Sequence, residues 1–479
     1  MADILLTHSN HLYFDQKQVR KMQPYPPLQT ILAAAFLRRE GFEVALFDAT
    51  LNPPEEGFRS AMAWHKPRLV AICEDNFNFL TKMCLKQNRD LALTMVDIAR
   101  ESGIPVVVGS SDASDRSREY LSRGVDLVMM GELEHTLLDV ARCFLDGSNR
   151  PVQMINGLAY RDPDSGEVRY TAPRQPMKEL DVLPMAAWHL VDISRYRQAW
   201  MRSHGFFSLN LVSSRGCPYH CNWCAKPIYG QTYRFSPPHR IAGEMRYLKE
   251  AYRPDQIWFA DDIFALSAQW TYQFADAVNA LGAQIPFKMQ SRCDLMTKDT
   301  VSALKRAGCA EVWMGAESGS QQILDAMDKG IRVEDVYLAR ENLRRHGIRA
   351  CFFLQFGYPG EQWENIQDTI LMVRETSPDD IGVSVSYPLP GTKFFSRVAA
   401  EMDSKQNWSD SGDLSMMFRG TYTSEFYAAL RDALHLEVDL HNGRSRVGAD
   451  DRRLHDLWRR VTELESSCPK DALPVWTCS

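Results

Sequence analysis

Ser214-Arg215-Gly216-Cys217-Pro218-Tyr219-His220-Cys221-Asn222-Trp223-Cys224 places three cysteines at CxxxCxxC spacing in a short loop that follows the strand-like stretch Ser208 to Ser213. Gly216 and Pro218 favour a tight turn, which lets three thiolates face one point as soft ligands for an iron–sulfur cluster. A cubane has four irons, so three protein ligands leave one iron open to chelate an amino and a carboxylate group. A structural zinc site is the competing reading. Zinc usually takes a fourth Cys or His, and although His220 lies in the same loop, there is no second paired-cysteine knuckle. Cys217, Cys221 and Cys224 are therefore the expected metal ligands and catalytic centre.

Upstream of this loop, short apolar runs alternate with amphipathic stretches. Asp3 to Thr7, Phe42 to Phe47, Arg68 to Cys73, Pro105 to Val108 and Asp126 to Met130 read as strands. Leu28 to Glu40, Phe58 to His65, Leu80 to Ser102, Ser114 to Arg123 and Glu132 to Leu145 read as helices between them. This alternation predicts a doubly wound parallel sheet whose crevice lies at the carboxyl ends of its strands. The rhythm breaks from about Gly147 to Gln198, where Asp162 to Gly166 reads as a hairpin turn among prolines, so this segment is expected to be a connector.

Downstream, six strand patterns recur: Ser208 to Ser213, Gln256 to Ala260, Phe287 to Gln290, Glu311 to Gly315, Ala350 to Phe356 and Ile381 to Ser386. The helical stretches between them predict a partial or complete barrel with functional residues where strands end. Phe426 to Leu440 and Arg452 to Leu464 read as closing helices.

Composition limits the function classes. The 479 residues are 45% hydrophobic and carry a formal net charge of −6, which suits two or three globular domains and gives no global positive field to gather nucleic acid. There is no basic leader followed by a long apolar run and no apolar stretch long enough to span a bilayer, so a cytoplasmic location is expected. The eleven cysteines are an odd number, and eight of them are scattered, which argues against a disulfide framework.

The cysteine segment, with aromatic Trp223 before the last cysteine, resembles the radical S-adenosylmethionine (SAM) superfamily motif. Trp313-Met314-Gly315-Ala316-Glu317-Ser318-Gly319-Ser320 with Met327-Asp328-Lys329-Gly330, then Gly357-Tyr358-Pro359-Gly360-Glu361, then Tyr387-Pro388-Leu389-Pro390-Gly391-Thr392 are similar to the ends of that family's fourth, fifth and sixth barrel strands. The resemblance implies a four-iron four-sulfur cluster on the three cysteines and bound SAM. Trp223, Asp261, Asp262, Ser291, Arg292, Glu317 and Gly357 then become SAM-contacting candidates. Asp261 and Asp262 would take the amino group, Ser291 and Arg292 the carboxylate, Glu317 the ribose hydroxyls, and Gly357 would pack near the adenine. A helix cap or surface ion pair is the plainer role for each of these charged and hydroxyl groups.

Residues 1 to about 150 resemble the cobalamin-binding domain that precedes the barrel in one branch of the superfamily. The matching segments are Tyr25-Pro26-Pro27-Leu28-Gln29, Val106-Val107-Val108-Gly109-Ser110-Ser111 and Gly131-Glu132-Leu133-Glu134. The resemblance makes Pro27, Leu28, Gln29, Glu74, Asp75, Gly109, Ser110, Ser111, Gly131 and Glu132 cobalamin-contacting candidates, with Gly109, Ser110 and Ser111 small enough for close approach. The DxHxxG motif that supplies a lower cobalt ligand elsewhere is absent. Gly109-Ser110-Ser111-Asp112 stands where the family usually has GGPH, and Glu74 and Asp75 could face cobalt or cap a helix.

The expected fold is α/β: a Rossmann-like, flavodoxin-type cobalamin-binding domain (1–147), a connector (148–200), a partial (β/α)6 radical SAM barrel (201–397) and a small helical C-terminal region (398–479). The expected function is a cobalamin-dependent radical SAM enzyme that reductively cleaves SAM to a 5′-deoxyadenosyl radical and methylates an unactivated carbon of a small molecule. An electron donor such as flavodoxin or ferredoxin is the implied partner. The alternatives are cobalamin-assisted oxidation, cyclisation or rearrangement without net methyl transfer, and a non-catalytic cobalamin or iron–sulfur module. Transfer-RNA methylthiolation would call for further cluster cysteines, and Cys73, Cys84 and Cys143 lack suitable motif context.

Overall fold

A computed structural model of the chain describes residues 1–83, 85–146, 151–226, 228–402, 404–405, 407–444 and 449–468. Cys84 and the expected boundary at 147/148 lie outside the described residues. Strands β1 (Ile4–Thr7), β2 (Val44–Phe47), β3 (Leu69–Cys73), β4 (Val106–Gly109) and β5 (Leu127–Met129) form a parallel sheet in the order β2-β1-β3-β4-β5. Runs such as Leu69-Val70-Ala71-Ile72-Cys73 are apolar at every position because both faces are covered. Helices Leu28–Arg39 and Leu133–Leu145 cover one face. Pro54–His65 and Lys86–Glu101 cover the other.

Three expectations change here. The stretch Leu80 to Ser102 is two helices, Phe79–Lys82 and Lys86–Glu101, and Ser114 to Arg123 divides into Ser111–Asp115 and Ser117–Ser122. The hairpin near Asp162 belongs to the first sheet rather than to a free connector. Its strands β6 (Leu158–Arg161) and β7 (Val168–Tyr170) extend the sheet antiparallel from β5. Asp162 Oδ1 makes the turn by accepting from the backbone N–H of Asp164 and Ser165.

The second sheet begins with β8 (Ser208–Leu211). The two-residue strands β9 (Ser214–Arg215) and β10 (Arg234–Phe235) pair with each other, and β11 (Gln256–Phe259), β12 (Phe287–Ser291), β13 (Cys309–Glu317), β14 (Arg349–Phe356) and β15 (Asp380–Val385) follow. The order β8-β11-β12-β13-β14-β15 is parallel throughout and leaves β8 and β15 as edges, giving an open six-stranded barrel. Alternate residues define its two faces. Phe259, Phe287, Met289, Val312, Met314, Phe352 and Leu354 pack outward among Met245, Phe274, Leu304, Leu343 and Ile370 of the surrounding helices. Trp258, Lys288, Gln290, Trp313, Phe353 and Ser384 therefore point to the concave side.

The N-terminal part and the barrel share polar ties. Trp200 Nε1 donates to Pro24 O at 2.7 Å, and Asn210 Nδ2 donates to Pro26 O at 3.0 Å, which draws the approach to helix Leu28–Arg39 against β8. Helices Ser424–His441 and Ala449–Ser467 pack on each other, and the first of them also packs on β15.

The largest tie is Arg215, whose side chain is almost fully buried. Its Nη1 donates to Glu132 Oε2 at 3.1 Å and to Glu134 Oε2 at 3.2 Å, while Nη2 donates to Glu134 Oε1. Arg234 also binds Glu132, and Gln29 Nε2 donates to Glu134 Oε1 at 3.0 Å. Removing one member of such a group strands a buried charge. Arg215→Met should lower unfolding free energy by about 3–5 kcal/mol in urea titration, with part of the loss recovered when Glu134 is changed to Gln in the same chain.

Candidate active site

The cysteine loop is pinched at its base by the β9–β10 ribbon and by Ser236 N–H donating to Ser213 O at 2.8 Å. Gly216 sits at a φ of +80°, and a Cβ there would meet the carbonyl oxygens of Gly230 and Tyr229 at 3.0 Å, so only glycine starts the turn without strain. Cys217 and Cys224 are half-buried and Cys221 is buried. The thiols lie near enough to perturb one another. Burial, reinforced by Cys221 and Asp262, raises Cys217, and burial pushes Cys224 up to about 12 despite the opposing Lys226 ammonium.

Among the described residues, no three His, Cys, Asp or Glu side chains are grouped to hold a single metal ion. The corners of a cubane stand farther apart than the ligands of one ion, so thiols set for a cluster need not form such a group. Among the described residues, two buried polar atoms beside them have no hydrogen-bond partner: Trp223 Nε1 and Lys226 Nζ. Soft thiol donors with an adjacent unpaired ammonium fit an anionic iron–sulfur group.

The opposite wall of the loop is well tied. Asn222 Nδ2 donates to Ala326 O at 2.7 Å, and the Tyr358 hydroxyl lies within hydrogen-bond distance of both Ala326 O at 2.7 Å and Asn222 Oδ1 at 3.0 Å, its one proton shared between these acceptors.

The strand-end residues read from the sequence surround this loop, and most are already engaged. Asp261 is fully buried and accepts from Ser213 N–H at 3.0 Å, from Ser213 Oγ–H at 2.6 Å and from Ser214 Oγ–H, so it fixes the root of the cysteine loop. Burial raises its carboxyl to about 6 against those donors. Asp262 pairs with Lys82, which reaches across from the segment after β3. Ser291 Oγ donates to Phe264 O at 2.8 Å.

Arg292 binds Asp294 at 2.9 Å, donates to Lys329 O at 2.8 Å and to Gly330 O at 3.0 Å, and lies 3.6 Å above the Tyr219 ring of the cysteine loop. Glu317 accepts from Lys329 Nζ at 2.6 Å in a buried pair, and the backbone at Glu317 is left-handed with a φ of +60°. Gly357 N–H donates to Glu361 Oε2 at 2.6 Å, and a Cβ at Gly357 would meet Met416 at 3.0 Å and Tyr427 Cζ of helix Ser424–His441 at 3.2 Å.

At the first sheet, the strand-end candidates divide. Asp75 caps helix Leu28–Arg39, accepting from Leu28 N–H at 3.3 Å and Gln29 N–H at 3.2 Å, the capping role open to it in the sequence. Glu74 instead accepts from Ser9 N–H at 2.8 Å and Ser9 Oγ–H at 2.6 Å. Among the described residues its Oε2, Asn76 Oδ1 and Thr81 Oγ1 are buried without hydrogen-bond partners, an acceptor-rich strand edge suited to a ligand with many amide donors.

Pro27 precedes the capped helix, and Gln29 and Glu132 belong to the Arg215 group. The space a Gly109 Cβ would need is taken by Leu133 and Met129. Ser110 Oγ accepts from Ala113 N–H at 2.9 Å, Ser111 Oγ donates to Thr81 O at 3.1 Å, and Gly131 is open on its Cβ side with a φ of +81°. Asp112 binds Arg89 at 2.7 Å and accepts from Tyr120 O–H at 2.8 Å, and Asn407 joins Arg89 to Arg116 at 3.1 and 2.9 Å. His8 is buried against Asp48 at 3.1 Å and His11 against Ala49 O at 2.7 Å.

Residues 211–373 match the model of the radical SAM superfamily. This stretch carries a radical SAM domain. Over 286 residues it is 27% identical to an uncharacterized methyltransferase of Pyrococcus horikoshii, covering 59% of this chain and 60% of that relative. Over 388 residues it is 23% identical to the anaerobic magnesium-protoporphyrin IX monomethyl ester cyclase of Rubrivivax gelatinosus, covering 79% of this chain and 67% of that one. In fold it is similar to the cobalamin-dependent SAM radical enzyme OxsB, solved with aqua-cobalamin and SAM bound, at a TM-score of 0.72 and 18% identity, over 97% of this chain and 71% of OxsB. No helix among the described residues is long and apolar enough to cross a membrane.

Sequence reading missed Lys82, Arg215, Lys226 and Lys329. Arg215 and Lys226 flank the cysteines and Lys329 lies in a quoted motif, but a cation's partner is set by the fold rather than by spacing. It also missed Glu361 as a titrating group. Burial raises its carboxyl to about 8 against one backbone donor. An acid whose pKa is raised on folding supports the fold while protonated and loses that support as pH rises through the folded value. Cluster-free protein should therefore lose stability to urea as pH rises from about 5 to about 8 and level off above that, and Glu361→Gln should flatten that part of the profile.

Proposed function

We propose that the chain is a cobalamin-dependent radical SAM enzyme that converts a small molecule by radical oxidation, cyclisation or rearrangement. The observation that carries the radical reading is the pinched loop presenting Cys217, Cys221 and Cys224 beside the unpaired Lys226 ammonium, within the matched superfamily region. When bound on those thiolates, the cluster supplies the electron that cleaves SAM to a 5′-deoxyadenosyl radical.

The chain's own residues have separable tasks. Asp261 holds the loop root through Ser213 and Ser214, while Asn222 and Tyr358 hold its far side. Lys226 offsets negative charge at the thiolates. Arg292, braced by Asp294 on the Tyr219 ring, offers a fixed cation for a carboxylate, and the Glu317–Lys329 pair offers a buried polar edge for hydroxyl groups. Pro27, Glu74, Asn76 and Gly131 at the first sheet would hold cobalamin, with Glu74 Oε2 and Asn76 Oδ1 accepting from amide groups. A flavodoxin or ferredoxin is the expected electron source.

The non-methylating reading draws support from breadth of coverage. The cyclase alignment spans more of this chain than the methyltransferase alignment, and the chain spans only 60% of the methyltransferase relative. Methyl transfer is the second reading, favoured by the higher identity to that methyltransferase.

Anaerobically reconstituted protein given dithionite and SAM should form 5′-deoxyadenosine, and the variant with all three loop cysteines changed to Ala should form none. Equal product from both chains would end the radical reading. With SAM carrying a deuterated methyl group, the isolated product should hold no label. A labelled product would establish methyl transfer instead.

A further inference from the structure

The concave side of the barrel carries a feature to which the proposed function assigns no role. Phe353 sits in the middle of β14, paired on one side to β13 and on the other to β15, yet it is 38% exposed. A central strand exposes a phenylalanine this far only where the face it points to opens onto free space. Trp313 on β13 lies beside it, with ring centroids 4.9 Å apart and planes 30° apart, and Trp313 is held by Nε1–H donating to Glu311 Oε1 at 2.8 Å.

The next strand leaves room for the pair. Gly382 on β15 pairs with Phe353, and a Cβ there would stand 3.2 Å from Phe353 Cδ1 and 3.4 Å from Trp313 Cζ3. Its φ is not in the left-handed region, so the backbone does not call for glycine, whereas a Cβ would crowd the Phe353 ring. A branched side chain at 382 would push into the space over which they lie.

Polar groups edge the shelf. Gln290 pairs with Trp313 in the sheet register and donates through Nε2 to Asp261 O at 2.6 Å, which leaves its amide oxygen as an acceptor at the strand ends where the cysteine loop is rooted. Gln355 donates through Nε2 to Ser386 Oγ at 3.0 Å, and Ser384 stands beside it in the register. Apolar faces with hydrogen-bond acceptors along one edge match a flat π system carrying N–H or O–H groups on its rim. A puckered aliphatic body would touch two tilted rings at few points.

We propose that Trp313 and Phe353, kept open by Gly382, form the substrate shelf of the barrel and that it takes a planar conjugated ring system. This rests on the radical reading above for its placement and adds the substrate class to it.

Equilibrium dialysis of naphthalene-2-carboxylate and of decahydronaphthalene-2-carboxylate, equal in charge and skeleton, tests the shelf directly. The planar probe should bind the full chain about tenfold more tightly, the size expected from one to two aromatic contacts. Gly382→Val and Phe353→Leu should each erase that preference, the second without enlarging any side chain, so that one of them reports even if the other fails to fold. Equal affinity for the two probes, or an unchanged preference in a folded variant, overturns the shelf. 5′-Deoxyadenosine formation by the unaltered chain is measured alongside. Product without probe preference removes the shelf alone, and probe preference without product removes the radical reading and leaves the shelf as a binding site.

Discussion

A single buried guanidinium fixes how the two halves of this chain meet. Arg215 stands two residues before Cys217, and both of its terminal nitrogens are spent on Glu132 and Glu134 at the end of the first sheet. A cation without access to water is tolerated only with full compensation, and a pair of carboxylates with Gln29 and Arg234 around them provides it. The cysteine loop therefore cannot shift relative to the first sheet without breaking a network in which every member is costly to strand. That constraint puts the strand ends of the first sheet and of the barrel against one another, which a flexible tether between two folded units would not do.

The same economy appears among the strand-end acids. Asp261 binds Ser213 and Ser214, Asp262 binds Lys82, and Asp75 caps the helix that begins at Leu28. Each lies where a cofactor contact was expected from the sequence, and each has a partner from another part of the chain. Strand-end carboxylates here shape the loops around the cysteines, and among the described residues Lys226 Nζ beside the thiols is left without a hydrogen-bond partner. The C-terminal part takes a share as well, since Asn407 reaches the Arg89–Asp112 pair and Tyr427 lies against Gly357.

Most of the architecture was legible because parallel strands buried on both faces read as apolar runs, and because the barrel repeats one pattern six times. All eleven parallel strands of the two sheets appear within a residue or two of where the apolar runs place them. The failures have physical causes. The break between Lys82 and Lys86 is invisible to periodicity because both halves keep helical spacing. The hairpin joined the first sheet because β5 offered an unpaired edge, a tertiary fact that turn chemistry near Asp162 cannot report. Cysteine spacing identified the loop, whereas the partners of Arg215, Lys82 and Lys329 depend on residues far away in the chain.

Unpaired buried polar atoms offer a second view of the same site. A folded chain seldom buries a polar atom without a partner, because the desolvation loss is of the order of 1–3 kcal/mol for each. Among the described residues several gather in three places: Trp223 and Lys226 beside the thiols, Glu74, Asn76 and Thr81 along the first sheet, and Glu361 with Tyr427 where helix Ser424–His441 meets the loop after β14. The first two coincide with the loops that the cysteine motif and the strand order mark independently. The third couples a helix outside the matched superfamily region to a strand end inside it. A protein shaped only for stability would fill such positions with apolar groups of the same shape, so unpartnered polar atoms at these places fit a site built for polar ligands.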